Sequence, residues 1–152
     1  MRHTPTNRLL ILRVYLGLLG TFTLFWWPLS HWFYPEWYHR LLGFESFDPS
    51  LVTIIGTTGL VAVLNIFFAA LDPIRNRAMI TILIVFSIAM AATYLLLIQT
   101  KGFPEREYAN MTLLIVNTIV LITLYPRSAS AAGGLSARWR KYGRTSSTVF
   151  PG

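Results

Sequence analysis

Four long apolar runs constrain this chain more than any other feature. They cover residues 9–27, 51–71, 78–98 and 109–125, and the first is broken only by Arg13. Each has about the 17 to 25 residues a helix needs to cross the hydrocarbon of a bilayer. A membrane strand would need about ten and would alternate apolar with polar residues, which these runs do not. No water satisfies the backbone inside lipid, so such a run closes its hydrogen bonds within itself as a helix. Of the 152 residues 54% are hydrophobic and 12% charged, and a soluble domain carries roughly a quarter charged. Too few polar groups remain to cover a surface in water. The expected fold is an all-α integral membrane protein, a four-transmembrane-helix bundle over residues 1–127. The first run does not read as a cleavable signal, because it is long, ends in Trp and Pro and lacks a small-residue cleavage site.

The polar punctuation supports this division. Asp48-Pro49 precedes the second run and Asp72-Pro73 the third. Aspartate accepts the free N–H groups of a first turn, and proline fits the first helical position because it has no N–H to lose. Phe103-Pro104-Glu105-Arg106-Glu107 opens the fourth run, with acids at the positive end of the helix dipole. Tyr34-Pro35-Glu36 repeats the device before a short helix, expected from Glu36 to about Leu42. These acids read as helix starts.

Charge sets the expected orientation. The net charge is +7. Arg2, Arg8 and Arg13, Arg75 and Arg77, and Arg127, Arg138, Arg140, Lys141 and Arg144 all fall on one side of a four-span protein. Only Arg40, Lys101 and Arg106 fall on the other. The positive-inside bias then places both termini in the cytoplasm, and it explains the basic character without nucleic acid.

Between Phe25 and Phe47 the chain is crowded with aromatic residues, among them Trp26, Trp27, Trp32, Trp37 and Tyr38. Such side chains settle at headgroup depth, so a short amphipathic helix on the outer interface is expected. Residues 128–152 read as a flexible tail. Its linker, 128–134, leads to Arg138, Trp139, Arg140, Lys141 and Arg144, a basic-aromatic cluster suited to anionic lipid.

Chemistry-bearing residues are few. There is no cysteine, which removes disulfides and thiolate chemistry. No phosphate loop, nucleophile elbow or zinc-protease motif is present, so neither catalytic residues nor a cofactor are assigned. The middles of the runs hold no Asp, Glu, Lys or His. A proton-coupled exporter would want a carboxylate there. Arg13, about one turn into the first span, is expected to snorkel to the cytoplasmic interface and pair with Asp72 or a lipid phosphate. Asn65 and Asn117 are candidates for helix–helix contact or for a small-ligand pocket. Gly17 with Gly20, Gly56 with Gly59 and Ser87 with Ala91 permit close helix approach. His31, Glu36 and His39 are weak metal candidates, since Glu36 and His39 form a single Glu-x-x-His and two facing copies make a di-metal site.

The chain resembles the small bacterial four-span families around the BphX-like and DoxX-like proteins. The likeness rests on length, on the four spans and on Trp37-Tyr38, Gly43-Phe44, Asp48-Pro49, Asp72-Pro73, Asn76-Arg77, Phe103-Pro104 and Tyr125-Pro126. It implies the fold and a bacterial inner membrane; it implies no activity and carries over no functional residue.

Three classes of function stay open. The first is a non-catalytic accessory or scaffold subunit of a membrane complex or homo-oligomer, favoured by the scarcity of intramembrane charge and by the small-residue faces. The second is a carrier or bundle that binds a small ligand, a lipid or a quinone, through Asn65 and Asn117. The third is a redox or metal-dependent membrane enzyme subunit using His31, Glu36 and His39.

Overall fold

The computed structural model describes residues 5–126. All regular structure among them is helical, and four helices are long and apolar enough to cross a membrane. The protein is a four-helix bundle of the multi-pass membrane class. The tail and its basic cluster, Arg138, Trp139, Arg140, Lys141 and Arg144, lie outside the described residues, as does His3.

The first span is one rod made of α1 (Pro5–Leu24), a π-helical turn (Phe25–Leu29) and α2 (Ser30–Phe33). The sequence places its end near Trp27, ahead of Pro28; the rod continues to Phe33. Proline breaks an α-helix because it lacks an N–H and crowds the carbonyl four residues back. The wider π turn accommodates buried Pro28, and the Ser30 hydroxyl donates to the Trp26 and Trp27 carbonyls at 2.7 and 3.0 Å.

Tyr34 leaves helical geometry at φ −137°, and α3 (Pro35–Leu42) starts with proline in its first turn. Gly43, at φ +94°, ends it: its N–H reaches the Arg40 carbonyl while that of Phe44 reaches the His39 carbonyl. This pair of bonds needs a left-handed residue, which glycine supplies without strain. The expected short helix is thus present, and one of its faces is covered by the protein itself. Tyr38, His39 and Leu42 face inward and are buried, while Glu36, Trp37, Arg40 and Leu41 face outward. A helix with one such face folds over the end of the bundle as a cap.

Asp48 accepts the Ser50 and Leu51 N–H groups at 2.8 and 3.2 Å and starts α4 (Pro49–Leu71), as the sequence predicts. Asp72 behaves differently. It accepts from the Ile74 and Arg75 N–H groups, so it holds the turn, and α5 (Arg77–Lys101) begins behind Asn76. The Asn76 amide ties that turn back to the Phe68 carbonyl at 2.7 Å. A 3-10 turn (Glu105–Glu107) then leads into α6 (Tyr108–Leu124).

In the bundle α1 packs most closely on α4 and α5 on α6; α4 joins the two pairs through α5, and the contact between α1 and α6 is thinner. The aliphatic core, Leu12, Leu16, Ile66, Ala69, Ile80, Leu83 and Leu121, fills the half nearer the termini. At that end the Arg8 guanidinium donates to the Thr123 carbonyl and, at 3.4 Å, to that of Tyr125, closing α1 onto the C-terminus of α6. The other half is packed with aromatic rings. Trp27 lies against Gly59 and stacks with Phe86 of α5, and Trp32 lies against Gly56. The small face of α4 therefore receives aromatic residues of the same chain. Leu10, Leu18, Ile54, Val85, Ile88 and Ile119 point outward, which water would not tolerate on every helix but lipid does.

Candidate functional site

Polar side chains inside the spans gather at three places. The first is a clamp among helices. The Tyr15 hydroxyl of α1 donates to the Asn117 amide oxygen of α6 at 2.8 Å, and the Asn117 nitrogen donates to Ser87 of α5 at 3.0 Å. One amide thus links three helices in a medium where few other partners exist.

Asn65 belongs to a second place. It does not meet Asn117. Its nitrogen donates to the Val61 carbonyl of its own helix at 2.9 Å, and its oxygen has no partner among the described residues. The side chain lines an open groove of about 480 Å³ between α4 and α5, with Thr57, Thr58, Ala62, Ile82 and Phe86. Both threonine hydroxyls donate to carbonyls four residues back. A single pocket built from Asn65 and Asn117 together is not formed, because they occupy different faces of the bundle.

The third place lies under the cap, and most of it is not evident in the sequence. Trp26 Nε1 donates to the Asn110 oxygen at 2.9 Å, and the Asn110 nitrogen donates to Glu107 Oε2 at 2.6 Å. Glu107 reads as a helix-starting acid, yet it is only 3% exposed. The 3-10 turn folds it inward, and no cation stands within 4.0 Å of it among the described residues. Tyr38 packs edge-on against Trp26, with ring centres 5.5 Å apart. Burial, with Tyr94 and Glu107 nearby, holds the Tyr38 hydroxyl well above the usual phenol range. The Arg106 guanidinium donates to the Leu41 carbonyl at 3.1 Å and fastens the cap to this turn.

His31 and His39 meet beneath the same cap, 6% and 8% exposed, with ring centres 5.6 Å apart. Each Nδ1 donates to a carbonyl four residues earlier, His31 to Trp27 at 2.7 Å and His39 to Pro35 at 2.8 Å. Glu36 does not join them. Its side chain is 75% exposed and pairs at 3.7 Å with Arg40, a contact of little energetic weight. No group of three or more His, Asp or Glu suited to a metal occurs among the described residues.

The arginine expectation also changes. Arg13 is exposed, but it makes no ion pair with Asp72, whose carboxylate is occupied with its own turn. The sequence assigns that acid to a partner when its nearest donors are the two N–H groups that follow it.

No protein-family model matches the chain, and no curated protein or solved structure is significantly similar to it.

Proposed function

We propose that this is a non-catalytic accessory or scaffold subunit of a bacterial inner membrane complex or homo-oligomer, with both termini in the cytoplasm. The observation that carries the reading is the contrast between Asn117 and Asn65. Asn117 is bonded on both sides within the bundle, whereas the Asn65 amide oxygen, without a partner among the described residues, lines the α4–α5 groove. An unused acceptor facing lipid favours a neighbour that can donate to it, and a partner transmembrane helix supplies donors and close packing together. Thr57, Thr58 and Ala62 line the groove with short side chains that let such a helix approach closely.

The test is native mass spectrometry of protein extracted gently from its own membrane, wild type beside Ala62→Trp. A stoichiometric partner, either a second copy or another subunit, that is lost when tryptophan fills the groove supports the reading. A monomer that carries one lipid or quinone, displaced by the same substitution, replaces the scaffold role with a carrier role. A partner that Ala62→Trp leaves bound removes the groove from the argument.

A further inference from the structure

Beyond that reading, and independent of it, we propose that the groove between the end of the first span and the outward face of α3 seats the headgroup of a phosphatidylethanolamine lipid, with its phosphate on Arg40 and its ammonium on Glu36.

The shape of the chain makes the groove. The backbone leaves helical geometry at Tyr34, and α3 sets off in a new direction from Pro35. Phe33 and Tyr34 therefore share one open groove of about 630 Å³ with Glu36, Trp37, Arg40 and Leu41. Its α3 wall is held in place from behind. Tyr38, His39 and Leu42 are buried on the opposite face of the helix, and the Arg106 guanidinium donates to the Leu41 carbonyl at 3.1 Å. Groups mounted on so fixed an element lose little freedom when a ligand arrives.

The charges in the groove are unspent. Glu36 and Arg40 stand 3.7 Å apart, close enough to feel each other's charge and too far apart for a hydrogen bond. Neither side chain has a hydrogen-bond partner among the described residues, and both are strongly exposed. Arg40 keeps its planar fork of donors, which matches a phosphate, and Glu36 keeps both carboxylate oxygens as acceptors. A ligand that satisfies the pair needs an anion and a cation a few atoms apart, and the cation must have N–H groups to donate. Phosphoethanolamine has that arrangement. The trimethylammonium of choline has no N–H for Glu36, and an anionic headgroup brings no cation to it.

The rest of the lining selects a lipid over a soluble zwitterion. Phe33, Tyr34, Trp37 and Leu41 are all exposed, at the end of a helix long enough to cross a membrane. Aromatic residues in that position settle between headgroup and acyl chain, apolar body inward and polar edge outward. A lipid whose headgroup bridges Glu36 and Arg40 lays its glycerol and acyl chains over those side chains, whereas the free headgroup leaves them uncovered.

The experiment is native mass spectrometry of the full-length protein, stripped of lipid in detergent and then given equal amounts of phosphatidylethanolamine and phosphatidylcholine. The two headgroups carry the same charges, so the basic tail does not distinguish them. One phosphatidylethanolamine per chain is expected to bind in preference to phosphatidylcholine by roughly fivefold or more, since only its ammonium makes charge-assisted hydrogen bonds to Glu36. Glu36→Ala should abolish that preference. Arg40→Gln should weaken both lipids, because both carry the phosphate. Ala62→Trp, which fills the α4–α5 groove, should change neither, and this keeps the outcome apart from that of the scaffold reading. Equal binding of the two lipids overturns the proposal, as does a preference that survives Glu36→Ala or affinity that ignores Arg40→Gln. A preference for phosphatidylcholine also overturns it, and would assign the groove to a quaternary ammonium held on the ring faces of Tyr34 and Trp37. Loss of the lipid on Ala62→Trp overturns it by moving the site to the α4–α5 groove.

Discussion

The Trp27 indole lies across Gly59 so closely that a β-carbon there would stand 2.8 Å from the ring. The ring is rigid and stacks with Phe86 of α5. Gly59→Ala must therefore displace a packed aromatic, and overpacking of this kind costs about 1 to 3 kcal/mol. Gly56→Ala meets Trp32 at 2.8 Å and should behave alike. Gly17→Ala meets nothing within 4 Å and should be neutral or stabilising by up to about 1 kcal/mol. Unfolding in mixed detergent micelles, measured on all three variants, tests the ranking; equal effects at 17 and 59 would remove the indole from the account.

Asn117 and Asn65 have the same side chain and different duties. Asn117→Ala breaks two interhelical bonds and should cost about 1 kcal/mol, at roughly 0.6 kcal/mol for each bond inside a membrane. Tyr15→Phe breaks one of them and should cost about half as much. Asn65→Leu loses only a bond to its own helix, so the stability of the isolated chain should hold while association falls. Thermal or detergent unfolding, read beside size analysis, separates the two outcomes.

Under the cap, Glu107→Gln keeps an acceptor for the Asn110 amide and should be tolerated. Asn110→Leu leaves the buried carboxyl and the Trp26 N–H without their partner, and each such loss costs about 1 to 3 kcal/mol. A stability loss for Gln as large as for Leu would show that the charge, and not the hydrogen bond, holds this corner.

Topology can be tested on its own. Single cysteines at Ser46, exposed in the loop between α3 and α4, and at Ser136 should react with an impermeant maleimide from opposite sides of the membrane. Ser136 should label only once the cytoplasmic face is opened. Reaction of both in intact cells would overturn the proposed topology.

The spans were legible because their signal is long and cooperative: some twenty apolar residues admit one solution in lipid. Asp48 was legible as well, since a cap is a local matter between one carboxylate and the next two N–H groups. What escaped depends on how the chain bends and packs. Pro28 reads as a stop, and only the π turn and the Ser30 hydroxyl carry the helix past it. Glu107 reads as a helix-starting acid, because nothing local says that Trp26, 84 positions before Asn110, will close this corner inside the bundle. Trp26 reads as a belt residue at headgroup depth, and its place beneath the cap follows from where α3 folds. The two histidines were grouped with Glu36, but that Glu36 turns outward while the rings meet depends on the chain reversing at Tyr34.

The π turn has one more consequence. A helix advances about 100° per residue, so a single additional residue within a turn rotates everything beyond it by about that angle. Phe25–Leu29 therefore works as a phase shifter between the two halves of the first span. Leu12 and Leu16 keep their bearing on the aliphatic core while His31 and Trp32 are brought round to face the cap and Gly56. Deleting Pro28 itself would leave a more regular α-helix whose other apolar residues stay in lipid. It would also aim the far half of that helix at the wrong neighbours.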